Sequence, residues 1–203
     1  MRYRTIVADP PWHYDGFASG INSKSQGVKL RWDVPVPYPT MTVADISALP
    51  VADLADTNAR LFLWTTNRYL PDSFDVMAAW GFQFRQMIVW HKSNHPTPFV
   101  TSIAVQATEY LMYAVKGNPV RIKEPFPSTC IKTWRPRKNS HSRKPEMFID
   151  LIEATSDGPY LELFARRQRL GWDTWGNEAL DHIDYTAVGV PQVDHLVDIE
   201  GAA

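Results

Sequence analysis

Hydrophobic positions along the chain fall into two spacings. Thr5-Ile6-Val7-Ala8 is a short apolar run that stops at Asp9-Pro10-Pro11; proline cannot donate to a sheet ladder, so a strand must end there. Residues 59–65, 82–90, 109–115, 160–164 and 171–176 read as further strands, and residues 121–133 as room for one or two more. Helical spacing appears elsewhere. Thr42-Val43-Ala44-Asp45 opens a short helix with an acid in its first turn. Residues 71–80 form a helix closed by Gly81, with Phe74, Met77, Ala78 and Trp80 as its apolar positions. Pro145 takes the first position of another, which runs through Phe148, Ile149, Leu151 and Ile152. Residues 13–39 and 91–107 show neither spacing and read as long irregular segments. Strands alternating with helices predict an α/β sheet with helices on its faces.

Composition narrows the class. With 203 residues, 44% of them hydrophobic, the chain can bury a core, which excludes intrinsic disorder. The sequence contains no apolar run long enough to span a bilayer, and Met1-Arg2-Tyr3-Arg4-Thr5 lacks the apolar stretch of a signal peptide. A lone cysteine, Cys130, cannot form an internal disulfide, so a cytoplasmic location is expected. The net charge of −1 conceals an asymmetry. Residues 116–144 carry nine Lys/Arg against one acid, whereas residues 178–203 carry six acids and no Lys or Arg; without those acids the remainder is +5. Basic residues interleaved with Trp134 and Pro136 point to a nucleic-acid partner. The organisation expected is a catalytic domain over residues 1–178 and an acidic tail over 179–203.

There is no Gly-x-Gly, no Walker loop, no Gly-x-Ser-x-Gly elbow and no His/Cys spacing for zinc. The chemistry is therefore sought in Asp9-Pro10-Pro11-Trp12, directly after the first strand, where open α/β sheets bind ligands. By chance this tetrapeptide arises in fewer than about one chain in a thousand of this length. Asp9 offers a carboxylate that only accepts hydrogen bonds. Pro10 offers a carbonyl on a fixed backbone. Trp12 offers a wide apolar face. Together they suit an exocyclic amino group on a base, its two hydrogens held by the two acceptors and its ring stacked. Such an amine is a weak nucleophile because its lone pair is delocalised into the ring. Acceptors aimed at its hydrogens favour a pyramidal nitrogen with a localised lone pair, which is stabilisation by preorganised dipoles.

From Tyr3 to Glu178 the chain resembles the methyltransferase-A-seventy family. The likeness rests on Asp9-Pro10-Pro11-Trp12, Tyr38-Pro39-Thr40-Met41 and Leu61-Phe62-Leu63-Trp64-Thr65-Thr66-Asn67. It continues through Trp80-Gly81-Phe82, Val89-Trp90-His91-Lys92, Glu109-Tyr110-Leu111 and His141-Ser142-Arg143-Lys144-Pro145-Glu146. It closes with Leu161-Glu162-Leu163-Phe164-Ala165-Arg166 and Gly171-Trp172-Asp173-Thr174-Trp175-Gly176-Asn177-Glu178. The resemblance implies a Rossmann-like α/β methyltransferase sheet in permuted order, the catalytic motif preceding the cofactor motif. It implies methyl transfer from S-adenosylmethionine to the N6 amino group of adenine.

On that resemblance Asp9, Pro10, Pro11 and Trp12 are catalytic. Lys144 is the cation for the methionine carboxylate, with His141 beside it; Glu162, Phe164 and Arg166 border the end of the cofactor strand; Asn177 and Glu178 serve ribose and adenine. Asp9 serves both ends, near the sulfonium and on the target amine. Gln168 and Arg169 are not assigned to the cofactor, because the segment around them is short. Flipped bases or single strands expose adenine N6. For them Trp12, His13, Tyr14, Lys29 and Arg31 form the expected strand contact, and Arg135, Arg137 and Lys138 the phosphate patch. Trp64, Trp90, Trp172 and Trp175 are assigned to the core. The activity expected is adenine-N6 methylation of DNA; the alternatives are the same reaction on RNA and a catalytically silent nucleic-acid-binding scaffold. The family includes obligate heterodimers, so a homo- or heterodimer is compatible with the resemblance.

Overall fold

The computed structural model describes residues 1–14, 39–93, 106–134 and 143–176. Its elements in chain order are β1 (Tyr3–Ala8), α1 (Val43–Ala48), α2 (Val51–Leu54), β2 (Ala55–Thr65), α3 (Leu70–Ala79), β3 (Gln83–Lys92), β4 (Thr108–Lys116), β5 (Cys130–Thr133), α4 (Met147–Thr155), β6 (Tyr160–Leu163) and β7 (Trp172–Trp175). The strands form one seven-stranded sheet in the order β5-β3-β4-β2-β1-β6-β7. β1 pairs in parallel with β2 and β6, β6 with β7, and β3 with β5; β4 is antiparallel to both its neighbours. This is the α/β sheet expected from the alternation, with one reversed strand that no spacing announced.

Side chains on successive strand positions leave the sheet on opposite faces. Ile6, Ala8, Leu61 and Leu63 pack with α1 and α3; Val7, Phe62 and Trp64 pack with Phe148, Ile149 and Ile152 of α4. Burial on both faces explains why residues 59–65 read as an unbroken apolar run. Local signals act as expected at two helix ends. The Thr42 side chain accepts from the Asp45 backbone N–H at 3.1 Å, and the Asp45 carboxylate accepts from the Thr42 N–H at 3.3 Å, a reciprocal cap on α1. Gly81, at φ +77°, lets its own N–H reach the Ala78 carbonyl and that of Phe82 reach Met77, which closes α3.

Two expectations change. The buried stripe of α3 is Ser73, Val76, Met77 and Trp80; Phe74 and Ala78 are exposed, and Phe74 instead packs edge-on to the exposed Phe84. α4 begins two residues after Pro145, whose carbonyl accepts from the Phe148 N–H. Residues 121–133 hold one strand, β5, within the one or two expected there, and the short α2 carries no periodic signal of its own. The tryptophans assigned to the core lie there: Trp64, Trp90, Trp172 and Trp175 are all buried. Among the described residues no helix is long and apolar enough to cross a membrane.

Candidate active site

β1 lies between β2 and β6, so the residue that follows it emerges in the middle of the sheet's carboxyl edge. That residue is Asp9, whose backbone N–H still reaches the Leu163 carbonyl at 3.4 Å. Pro10 and Pro11 then take the chain out of the ladder. The Pro10 carbonyl accepts from the Trp12 N–H at 2.9 Å, which leaves its second lone pair for another donor. Pro11 accepts from the Met41 N–H at 2.9 Å, which ties the tetrapeptide to the start of α1.

Trp12 does something other than expected. At 4% exposure it is buried, stacked on Tyr69 with ring centroids 5.0 Å apart, and its Nε1 donates to the Trp64 carbonyl at 3.3 Å. Its ring is held by the core, so it anchors the turn instead of presenting an open face for stacking.

Asp9 ends a row of four charged side chains drawn from four segments of the chain. The Lys144 ammonium donates to both Asp9 oxygens, at 2.7 and 2.6 Å, and lies 3.4 Å from a Glu109 oxygen. Lys92 donates to the other Glu109 oxygen. The result is an alternating row, Lys92–Glu109–Lys144–Asp9, with side-chain exposures of 13, 15, 16 and 23%. Indole faces line it: Lys92 lies 5.2 Å from the Trp90 ring and Lys144 5.3 Å from the Trp64 ring. Burial pushes the Glu109 carboxyl up, but Lys144 and Lys92 together overcome it and hold it below its ordinary range. Burial pulls Lys144 down, and the two carboxylates more than offset that. Burial pushes Asp9 up against the pull of Lys144.

The row opens on a cavity walled by Asp9, Pro10, Pro11, Trp12, Tyr14, Thr65, Thr66, Glu109, Lys144 and Arg166. Seven residues expected at the site from the sequence therefore converge. His13, also expected, is exposed and bonded to Thr40 at 2.6 Å, away from the cavity wall. Glu162 sits on β6 and is half-buried; burial, then the Asp9 carboxylate, push its pKa up to about 7. It makes no hydrogen bond or ion pair among the described residues. Phe164 follows in the left-handed region, φ +63°, with its ring edge-on to Trp175. His141, Asn177, Glu178, Lys29, Arg31, Arg135, Arg137 and Lys138 lie outside the described residues.

Glu109 is the residue that sequence reasoning passed over. Its signal was an acid at the head of the apolar run Tyr110-Leu111-Met112-Tyr113-Ala114-Val115. Lys144 also has partners other than the one expected: Asp9 and Glu109 occupy its ammonium.

S-adenosylmethionine carries a carboxylate, a sulfonium cation and a ribose diol. Arg166 offers the site a cation, the Asp9 and Glu109 carboxylates offer negative charge, and Glu162 is a half-buried acceptor suited to a diol. The donor set therefore fits that molecule.

Comparisons with known proteins agree. The MT-A70 family model matches residues 3–178. The type II methyltransferase M.MunI of Mycoplasma sp is 32% identical over 193 residues, covering 89% of this chain and 79% of its own. The human N(6)-adenine-specific methyltransferase METTL4 is 30% identical over 203 residues, 90% of this chain and 39% of its own. The human N(6)-adenosine-methyltransferase catalytic subunit METTL3 is 26% identical over 185 residues, 87% of this chain and 28% of its own. The chain thus spans most of the first relative and less than half of the other two. A strand-end Asp-Pro-Pro-Trp site that fits the methyl donor, and a family match across the described sheet, lead to one conclusion: the chain belongs to the MT-A70 family of methyltransferases, which use S-adenosylmethionine.

Proposed function

We propose that this chain methylates the N6 amino group of adenine at specific sites in DNA. The observation that carries the reading is the placement of Asp9. Its carboxylate stands at the sheet's carboxyl edge, fixed by two hydrogen bonds from Lys144, and Asp9 and Pro10 line the same cavity. Two acceptors on rigid backbone suit the two hydrogens of an aromatic amine. Holding them draws the nitrogen toward the geometry in which its lone pair is free to react. Lys144 keeps the carboxylate oriented and balances its charge, while Glu109 and Lys92 hold Lys144 in turn. When bound, S-adenosylmethionine supplies a methyl group activated by a cationic sulfur. Arg166 and Glu162 are the residues assigned to hold it, with Lys144 at the boundary between donor and acceptor. Relatives named as adenine- and adenosine-N(6) enzymes support the choice of atom. DNA is favoured over RNA because the relative whose length this chain nearly spans, at 79%, is a type II methyltransferase, whereas it spans 28% of the adenosine enzyme's catalytic subunit.

The test is transfer of radiolabelled methyl groups from S-adenosylmethionine to duplex DNA, single-stranded DNA and RNA, followed by digestion to nucleosides. Label in N6-methyldeoxyadenosine is expected. Faster labelling of RNA moves the substrate to RNA, and no labelling of any polymer overturns the assignment.

A further inference from the structure

The burial of Trp12 leaves the cavity with a different stacking surface. Among the residues lining it, Tyr14 carries the one exposed aromatic ring, at 42%. That ring is fixed. Its hydroxyl is bonded to the Thr66 hydroxyl at 2.8 Å, and it stands edge-on to Tyr69 at 5.2 Å and 81°. Tyr69 is in turn stacked on the buried Trp12. Arg68, exposed on the turn between β2 and α3, lies over both tyrosines, 6.0 Å from the Tyr14 ring centre and 5.6 Å from that of Tyr69. Burial of its hydroxyl pushes the Tyr14 pKa up to about 12, so the phenol stays neutral at working pH. An exposed ring pinned by the core, with a guanidinium laid against it, is the pairing by which single nucleic-acid strands are held: a base on the π-face and a cation for the phosphate.

We propose that Tyr14, Arg68 and Tyr69 form a shelf at the mouth of the cavity that holds the nucleotide next to the target adenine. Tyr14 stacks on the neighbouring base, Arg68 pairs with the adjoining phosphate, and Tyr69 fixes both to Trp12. The shelf rests on the nucleic-acid methyltransferase reading above.

Its test uses the DNA sequence found in the methylation assay, with a stable abasic residue placed on either side of the target adenine, and binding read by fluorescence anisotropy. One flanking abasic position should weaken wild-type binding about tenfold. Tyr14→Ala should weaken binding to the intact strand by a similar factor and erase the abasic effect, while Tyr14→Phe retains it. Arg68→Ala should raise the Kd several-fold and reduce the salt dependence by about one phosphate contact, with unchanged affinity for S-adenosylmethionine. Arg85→Ala is the control for charge alone: Arg85 is exposed at the opposite end of the sheet, bonded to Gln83. If abasic positions cost wild type and Tyr14→Ala equally, or Arg68→Ala matches Arg85→Ala, the shelf is wrong while the methyltransferase reading stands. A wild-type chain that neither binds nor methylates any strand removes both.

Discussion

Two groups of ion pairs in this molecule use the same chemistry and serve different ends. At the carboxyl edge of the sheet, Lys92, Glu109, Lys144 and Asp9 come from four distant parts of the chain and are 13–23% exposed. Along the outer side of α4, Arg143, Arg167 and Arg169 meet Glu146, Asp150 and Glu153, with exposures of 24–63%. The second group is redundant. Arg169 alone bonds Asp150 at 2.7 Å and Glu153 at 2.7 and 2.9 Å, and Glu153 also accepts from the Trp172 indole at 2.6 Å. Water screens such pairs, and each contributes little. The first group is linear, and among the described residues each end charge has one ion-pair partner. Breaking it leaves a poorly solvated ion uncompensated. A fold that only needed ion pairs for stability had the cheaper arrangement available on α4. The expensive one stands where Asp9 must be held.

Asp9→Ala should give the largest effect: methyl transfer falls by at least about 10²–10³-fold, as when a preorganised dipole is removed from a transition state. The fold survives, because Lys144 keeps its ion pair with Glu109 and Asp9 supplies no packing. Turnover near wild type, with an intact circular dichroism spectrum, would remove Asp9 from the chemistry.

Glu109→Gln should come next. It takes the carboxylate from Lys92 and one of two from Lys144, and urea unfolding should show a loss of about 2–3 kcal/mol, at the low side for a broken buried pair because the side chains keep some solvent. An unchanged midpoint would put the row on a level with the α4 ladder.

Glu162 sharpens the contrast as an acid with no ionic partner among the described residues. Its folded pKa, about 7, lies above the ordinary 4.5, so the folded state binds the extra proton. Its contribution is most favourable below about pH 4.5 and is lost as pH rises through about 7. Glu162→Gln should therefore raise Tm relative to wild type at pH 8 and leave it level at pH 4. A constant difference across that range would show that Glu162 does not titrate in the window.

Arg169→Ala should give the smallest effect, under about 1 kcal/mol and largely gone in 1 M salt. A loss as large as that of Glu109→Gln would make the outer ladder a principal support of the fold.

Local signals were legible. The strand end at Asp9-Pro10, the reciprocal cap Thr42–Asp45 and the Gly81 stop each depend on backbone geometry within a few residues, which residue identity expresses directly. The contents of the cavity were only half legible. Asp9, Tyr14, Lys144 and Arg166 were singled out, but Glu109 and Arg68 were not: an acid at the head of an apolar strand is a signal without a role, and an arginine in a turn is not even that, until the fold shows what faces them. Phe74 misled for a related reason. Its spacing admits two faces of α3, and the sheet buries the one containing Ser73 and Val76.

What the sequence determined alone was the α/β alternation, the position of the Asp-Pro-Pro-Trp turn and the tryptophan-rich core, since periodicity and proline act over short distances. Tertiary structure decided that Lys144 meets an aspartate 135 residues away, that β4 runs antiparallel and brings Glu109 to the same edge, and that Trp12 is buried while Tyr14 is exposed. Those outcomes depend on strand order and direction. Two side chains far apart in sequence become partners only when the sheet places their strand ends side by side.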